Sequence, residues 1–422
     1  MTYKTYECNS FNVHTIKTDR FKTVHMEIIF RKYANQNEMP SYSFLTDILT
    51  YSTKKYPKRR EFMTYLEELY KPSIYGTTVK TGKVLNTNFV VDFISPLYIE
   101  EEGYLEKVLS LPFLVLQNPN ATNDEFDLKQ FNLIKERLKR EIDVLSENPV
   151  KLSIKDALAN LDGDTETKYQ LLGTKEDIDA ITPSSLYKTY KKLFKENVCD
   201  IFIIGNLDMD SAVTLIRKYF KNRYINNKVL DIDVINNTRK KELVVNKESN
   251  NIQANLVMVY NTCDITRKEK DVTLQVFNYL FGSGGLTCKL YKSLREENSL
   301  CYGLYSYYLK YDNILVIQVS LENANVKKAI SLIKNNLKSM INGDFLEDSL
   351  EDAKRNLIIS LDLIEDNNVA ILNNYVFQKF DNLPDKETRS KLYQEITKED
   401  IINVAKKLKL NTIFTLMGKG DK

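Results

Sequence analysis

Two stretches decide the fold: Ile181–Asn206, ITPSSLYKTYKKLFKENVCDIFIIGN, and Ile396–Lys419, ITKEDIINVAKKLKLNTIFTLMGK. Their Ile-Thr pairs and KKL triplets (Lys191–Leu193, Lys406–Leu408) share an offset of 215 residues, and a two-residue slip then aligns Gly205 with Gly418. Earlier in each half, Asn88–Ser95 (NFVVDFIS) resembles Asn313–Ser320 (NILVIQVS) at an offset of 225. Matches in the same order, at offsets near half the chain length, predict two homologous domains of about 200 residues each. The boundaries expected from this pattern are 1–221 and 242–422. Residues 222–241 form a linker, with paired asparagines (Asn226-Asn227, Asn236-Asn237) and a terminal Arg239-Lys240-Lys241 triplet read as solvated.

Within each half, short β-like runs alternate with longer helical patterns. Val24–Phe30, Asn88–Ile94 and Cys199–Ile204 are rich in β-branched and aromatic residues and bounded by polar clusters, which predicts strands. Phe131, Ile134, Leu138, Ile142 and Leu145 recur at steps of three and four and predict one face of a helix. A second helix is predicted over Met209–Phe220, with Asp208 and Asp210 at its N-terminus. The elements do not follow strict βαβ alternation, so the class expected is α+β with antiparallel-rich sheets.

Composition narrows the function by exclusion. The 422 residues are 43% apolar and 28% charged, enough for a sizeable core. Sixty basic against 57 acidic residues leave a net charge of +3, which argues against a nucleic-acid protein. Only two histidines occur, His14 and His25, so a site built on several imidazoles is excluded. Neither has a carboxylate or cysteine at ligand spacing, and both are read as satisfied or surface residues. The five scattered cysteines contain no C-x-x-C pair and read as free thiols of a reducing compartment. The N-terminus lacks the apolar region of a signal peptide, and no run approaches the ~18 apolar residues of a membrane span. A soluble, cytoplasmic protein with no membrane partner is expected.

Familiar motifs fail on spacing. Phe281–Lys289, FGSGGLTCK, is not a phosphate loop, because Lys289 stands four residues after Gly285 with no Ser or Thr behind it. It reads as a flexible turn between two helices. Asp162-Gly-Asp-Thr-Glu opens like a calcium loop, but position six is Thr167 and position twelve is Gly173. It is read as an acidic loop.

Two segments carry a family pattern. Gly282–Tyr302, GSGGLTCKLYKSLREENSLCY, resembles the second-domain signature of the pitrilysin/insulinase-type zinc peptidases, which include the mitochondrial processing peptidases. Leu172–Thr182, followed by Cys199–Asp208, resembles the end of the first domain in that family. The resemblance implies the duplicated α+β fold that the internal repeat predicts independently. Active members carry H-x-x-E-H on a first-domain helix, two histidines binding zinc and the glutamate activating water. Here Ser43 and Asp47 stand at the histidine positions and Thr46 at the glutamate. Glu141, in KERLKREID, is the candidate relic of the third ligand, among charged neighbours that also suit a solvated helix face. Zinc needs about three protein ligands at a catalytic site. No metal or other cofactor is therefore expected, and independent proteolysis is not expected either.

The other half of the family's site is present. Arg295 and Tyr302 match the pair that the resemblance assigns to orienting substrate and stabilising an oxyanion, as donors facing developing negative charge. The reading is a catalytically inactive, non-zinc subunit of a heterodimeric peptide-processing metallopeptidase, supplying Arg295, Tyr302 and chamber wall to a zinc-bearing paralogue. Gly282–Gly285 then borders the chamber, and backbone near Asn88–Ile94 holds peptide by strand addition. The alternative is a non-enzymatic peptide-binding or scaffold protein on the same fold. A third reading follows bacterial relatives without the zinc motif that are associated with modification of elongation factor P.

Overall fold

The computed structural model describes residues 1–222, 224–225 and 228–419; Arg223 and the Asn226-Asn227 pair of the expected linker lie outside the described residues. In chain order, the first half contains β1 (Thr2–Cys8), β2 (Phe11–Lys17), β3 (Thr23–Tyr33), β4 (Ser73–Thr81), β5 (Val84–Ile94), the short pair β6 (Ala121–Thr122) and β7 (Glu125–Phe126), and β8 (Val198–Gly205). The second half contains β9 (Leu243–Glu248), β10 (Ala254–Thr262), β11 (Cys301–Leu309), β12 (Ile314–Leu321) and β13 (Leu408–Met417). Helices α1 (Met39–Tyr51), α2 (Arg59–Glu68), α3 (Tyr104–Gln117), α4 (Leu128–Glu147) and α5 (Pro149–Ala159) matter most below. The predicted strands and the first predicted helix fall inside these elements; the second, expected over Met209–Phe220, is observed as Met209–Tyr219 with Phe220 as its C-cap, and the Asp208 side chain caps its start by accepting from Ser211 N at 3.2 Å.

The duplication is written in the strand order. One sheet runs β1-β2-β8-β3-β5-β4 and the other β11-β12-β10-β13-β9. Leaving out the extra edge strand β1, the two are the same arrangement with β9, β10, β11, β12 and β13 standing for β2, β3, β4, β5 and β8. Each sheet is antiparallel except for one pair, β2 with β8 and β9 with β13. The repeated Ile-Thr opens a helix in both halves because the threonine is a cap. Thr182 Oγ1 accepts from Ser185 N at 3.1 Å, and Thr397 Oγ1 from Asp400 N at 3.2 Å. Each partner's side chain returns a bond to the threonine N–H.

Compactness does not follow chain order. One unit comprises Met1–Asp143, Tyr169–Ile232 and Asn367–Val376; the other comprises Val144–Lys168, Asp233–Asp366 and Phe377–Lys422. The cause in the second unit is a strand buried on both faces: every residue of β10 is buried. Ala254, Leu256, Met258 and Tyr260 face the main helical core, while Val257 and Val259 face the other way with Val316, Phe414 and Leu416. This second face is covered by Ala157 and Leu161, from the segment around α5. In the first unit, Val24, Met26, Ile28 and Phe30 of β3 enter the helical core with Phe44, Phe113 and Phe131. On Tyr3, the Tyr375 ring stacks at 4.8 Å.

The expected linker is pinned rather than free where it is described. Leu230, Ile232 and Val234 are buried, and Val234 N donates to Tyr311 O at 2.9 Å. Arg239, expected to be solvated, closes the end of α5 instead: it donates to Asn160 O at 3.1 Å and to Asn411 Oδ1 at 3.2 Å. Asp162 of the acidic loop is its ion-pair partner at 3.4 Å. Lys240 and Lys241 are exposed as expected. Leu161→Ala removes a side chain that is 2% exposed and is expected to cost about 3 kcal/mol. The urea midpoint should fall, and β10 and β13 amides should lose the most hydrogen-exchange protection if α5 belongs to that core.

Candidate functional site

Helix α1 carries the positions where the family places its zinc motif. Ser43 and Asp47 are four residues apart and share one helical face. Ser43 is 6% exposed, and its Oγ lies 2.7 Å from Thr78 Oγ1 on β4 and donates to Leu171 O at 3.2 Å. Thr46 is buried too, and its hydroxyl donates back to Ser43 O at 2.8 Å. Asp47 meets a guanidinium from α4: Arg137 Nη2 stands 2.6 Å from its Oδ2. Burial pushes the Asp47 carboxyl above its ordinary range, against the opposing pull of Arg137. Glu141, one turn further along α4, is exposed.

Backbone approach closes the remaining space. Gly76 of β4 lies so near α1 that a Cβ there would meet Thr46 Cβ at 2.7 Å and Thr46 O at 2.8 Å. A zinc ion asks for nitrogen, sulfur or carboxylate ligands around an open position. Two hydroxyls already bonded to neighbours, and one carboxylate already paired with arginine, do not fit it. Among the described residues no group of three or more His, Cys, Asp or Glu is arranged to hold a metal ion.

The Arg295/Tyr302 pair is brought together by a helix end. The helical segment Lys292–Glu296 stops where Leu300 N bonds back to Leu294 O at 2.8 Å, with Ser299 in the left-handed region at φ 52°. The chain then enters β11, and Arg295 Nη1 donates to Tyr302 O at 3.2 Å. The guanidinium also lies over the Tyr291 ring, 5.2 Å from its centroid. Tyr302 is 60% exposed at the irregularity between Cys301 and Gly303. Both side chains are exposed, and a guanidinium with five N–H donors spends one of them on the Tyr302 carbonyl, so donors remain for an anion. The glycine-rich turn does join two helical segments, and Gly282 is needed for packing: a Cβ there would stand 2.6 Å from Ser306 Cβ on β11.

Three features escaped sequence reasoning. The strand at Asn88–Ile94 is interior, since β5 pairs with β3 on one side and β4 on the other. Its backbone therefore has no free edge for a peptide, and β4 is the edge strand. Tyr305 and Tyr307 extend the exposed tyrosines along edge strand β11, with rings 6.2 Å apart; their alternate spacing was the available signal. The histidines are buried, as a satisfied reading requires, but both have carboxylate partners. His14 Nε2 is 3.2 Å from Asp200, a residue that Arg31 and Asn12 also contact. His25 lies between Asp92 at 2.6 Å and Glu27 at 3.0 Å. Glu27 shares its strand face two residues on, and Asp92 faces it across the β3–β5 ladder.

Burial alone would lower the His25 pKa, but its bonds to Asp92 and Glu27 outweigh it and raise the pKa from 6.5 to about 9. The folded protein therefore holds a proton that the unfolded chain releases above 6.5. The stabilisation, on the order of 3 kcal/mol, is full below pH 6.5 and is lost as pH rises through 9. Urea unfolding at several pH values should show that decline, and His25→Gln should flatten it. Rebuilding H-x-x-E-H as Ser43→His/Thr46→Glu/Asp47→His should fail to give stoichiometric zinc by elemental analysis. It should also lower the melting temperature, because glutamate at 46 has no room beside Gly76.

Similarity to known proteins follows the same lines. The family model described as the peptidase M16 inactive domain matches residues 180–357, which include Arg295 and Tyr302. A Bacillus subtilis protein, "Probable inactive metalloprotease YmfF", is 28% identical over 417 residues, covering 96% of this chain and 95% of that one. The crystal structure of a conserved protein from Enterococcus faecalis superposes with a TM-score of 0.94 at 22% identity, over 100% of this chain and 99% of the other. A peptidase M16 inactive domain from Pseudomonas fluorescens gives 0.79 at 17% identity, over 100% and 99%. These structures share the fold. No helix among the described residues is long and apolar enough to cross a membrane. Motif, fold and relatives together make this chain similar to the pitrilysin/insulinase-type metallopeptidases, with the H-x-x-E-H zinc motif replaced at Ser43, Thr46 and Asp47.

Proposed function

We propose that the chain is the non-zinc subunit of a cytoplasmic, heterodimeric peptide-processing metallopeptidase. A zinc-bearing paralogue activates the water; this chain contributes Arg295, Tyr302 and part of the chamber wall, bordered by Gly282–Gly285. The observation that carries the reading is the contrast between the two half-sites. Around Ser43, Thr46 and Asp47 every polar group is engaged within the fold, whereas Arg295 and Tyr302 adjoin one another with exposed donors. A guanidinium and a phenol can orient a peptide carbonyl and stabilise its oxyanion without a metal of their own.

A scaffold role without catalysis is the second reading, and one observation favours it. Arg295 already has local partners, the Tyr302 carbonyl and the Tyr291 ring, that would hold it in place for structural reasons alone. Peptide cleavage by the purified pair separates the two. Arg295→Ala and Tyr302→Phe are each expected to lower kcat/KM by about 10²- to 10³-fold while the complex still forms on size-exclusion chromatography. Full activity with both substitutions would leave the scaffold reading. Peptidase activity with stoichiometric zinc in the lone chain would overturn both.

A further inference from the structure

In the first unit, the helix Pro183–Glu196 carries Lys188, Lys191, Lys192 and Lys195. That spacing (i, i+3, i+4, i+7) sets four ammonium groups on one helical face over about 10 Å. The face lines a cavity of about 790 Å³, joined by Lys221 and by the rings of Tyr190 and Phe194. Glu196 is the one acidic residue of the lining among the described residues. Like charges three and four apart repel, so this face weakens its own helix unless counter-charge is supplied. The fold supplies part of it: Lys191 pairs with Asp124 at 2.6 Å and Lys192 with Glu38 at 2.8 Å. The ammonium groups of Lys188, Lys195 and Lys221 have no ion-pair partner among the described residues, and all three residues are exposed.

The internal repeat separates what the fold needs from what it does not. At the 215-residue offset Lys192 corresponds to Lys407, which Glu269 neutralises at 2.8 Å. Lys188 corresponds to Asn403, so the equivalent helix is built without a lysine there. Lys188, and Lys195 opposite Leu410 at the same offset, are therefore additions to the shared architecture, and both line the cavity.

We propose that this cavity binds a nucleotide-sized ligand carrying a chain of phosphates. Its volume lies within the roughly 300–1,000 Å³ of small-molecule sites. Linked phosphates concentrate several negative charges within the span of two helical turns, matching the lysine face. An acidic peptide fits less well, because an extended chain projects its carboxylates to alternate sides and is usually held along a strand edge. Among the described residues, the cavity wall is helix and connecting loop with no strand in it. Tyr190 and Phe194 offer an apolar wall to the remainder of the ligand, and the Tyr190 hydroxyl is held by Leu116 O at 2.9 Å.

Isothermal titration of the full chain at low salt, with tripolyphosphate, ATP, inorganic phosphate and a glutamate oligomer, tests this. Tripolyphosphate and ATP should both bind, more tightly than phosphate or the oligomer, and affinity should fall as salt rises. Equal affinities would assign recognition to the phosphate chain alone; tighter ATP would add the aromatic wall. Lys188→Glu/Lys195→Glu should weaken binding by at least about tenfold with an unchanged melting curve. Lys221→Ala, a milder change, should weaken it several-fold if the double variant misfolds. No binding of either polyphosphate, tighter binding of the glutamate oligomer, or undiminished affinity in the folded variants would overturn the proposal.

Discussion

Strands buried on both faces set the terms for this protein. All eight residues of β8 and all nine of β10 are buried, so each central strand needs a covering on two sides. A sheet with helices on one face meets half of that requirement. In the second unit the other half is met by α5 and Leu161, whose apolar side chains close over Val257, Val259 and Phe414. That demand explains why the compact units take segments from remote parts of the chain. Burial of apolar surface, rather than adjacency in sequence, decides membership.

The two sheets solve the same problem with different chemistry. The second face of β10 sets Val257 and Val259 between the uncharged amides Asn255 and Asn261. That of β3 carries His25, Glu27 and Arg31, met from β8 by Asp200. Buried charges are tolerable only when paired and hydrogen-bonded. Here Asp200 accepts from Arg31 at 3.1 Å and Asn12 at 3.0 Å beside His14, while His25 is clamped by two carboxylates. Both histidines of the chain are used up in this way, in the framework of the first unit. This leaves α1 without an imidazole and gives the stability of that sheet its pH dependence.

At α1 the same economy of polar groups accounts for the lost metal chemistry. Ser43, Thr46 and Asp47 are not vacancies. Each has been absorbed into packing: a hydroxyl pair with β4, a bond back along the helix, and an ion pair with α4. Arg137 supplies the positive charge beside Asp47, and Gly76 lets β4 close against the helix. The arrangement is self-consistent without zinc, which is why restoring three side chains alone should not restore a site.

The sequence by itself determined the duplication, the α+β class, the strands around residues 24–30, 88–94 and 199–204, and the absent zinc ligands. Those features are local or periodic: capping threonines, alternating apolar residues and motif spacing are legible one segment at a time. The adjacency of Arg295 and Tyr302 was also within reach, since seven residues separate them and a helix end turns the chain between. Only the tertiary structure decided that β5 is interior and β4 the edge, that Arg239 closes α5, and that Arg137 takes the place beside Asp47. It alone also gave His25 its carboxylates. Strand order, ion pairs between distant elements and second-face packing depend on which surfaces meet. No single segment encodes that, because the free energy belongs to the contact and not to either partner.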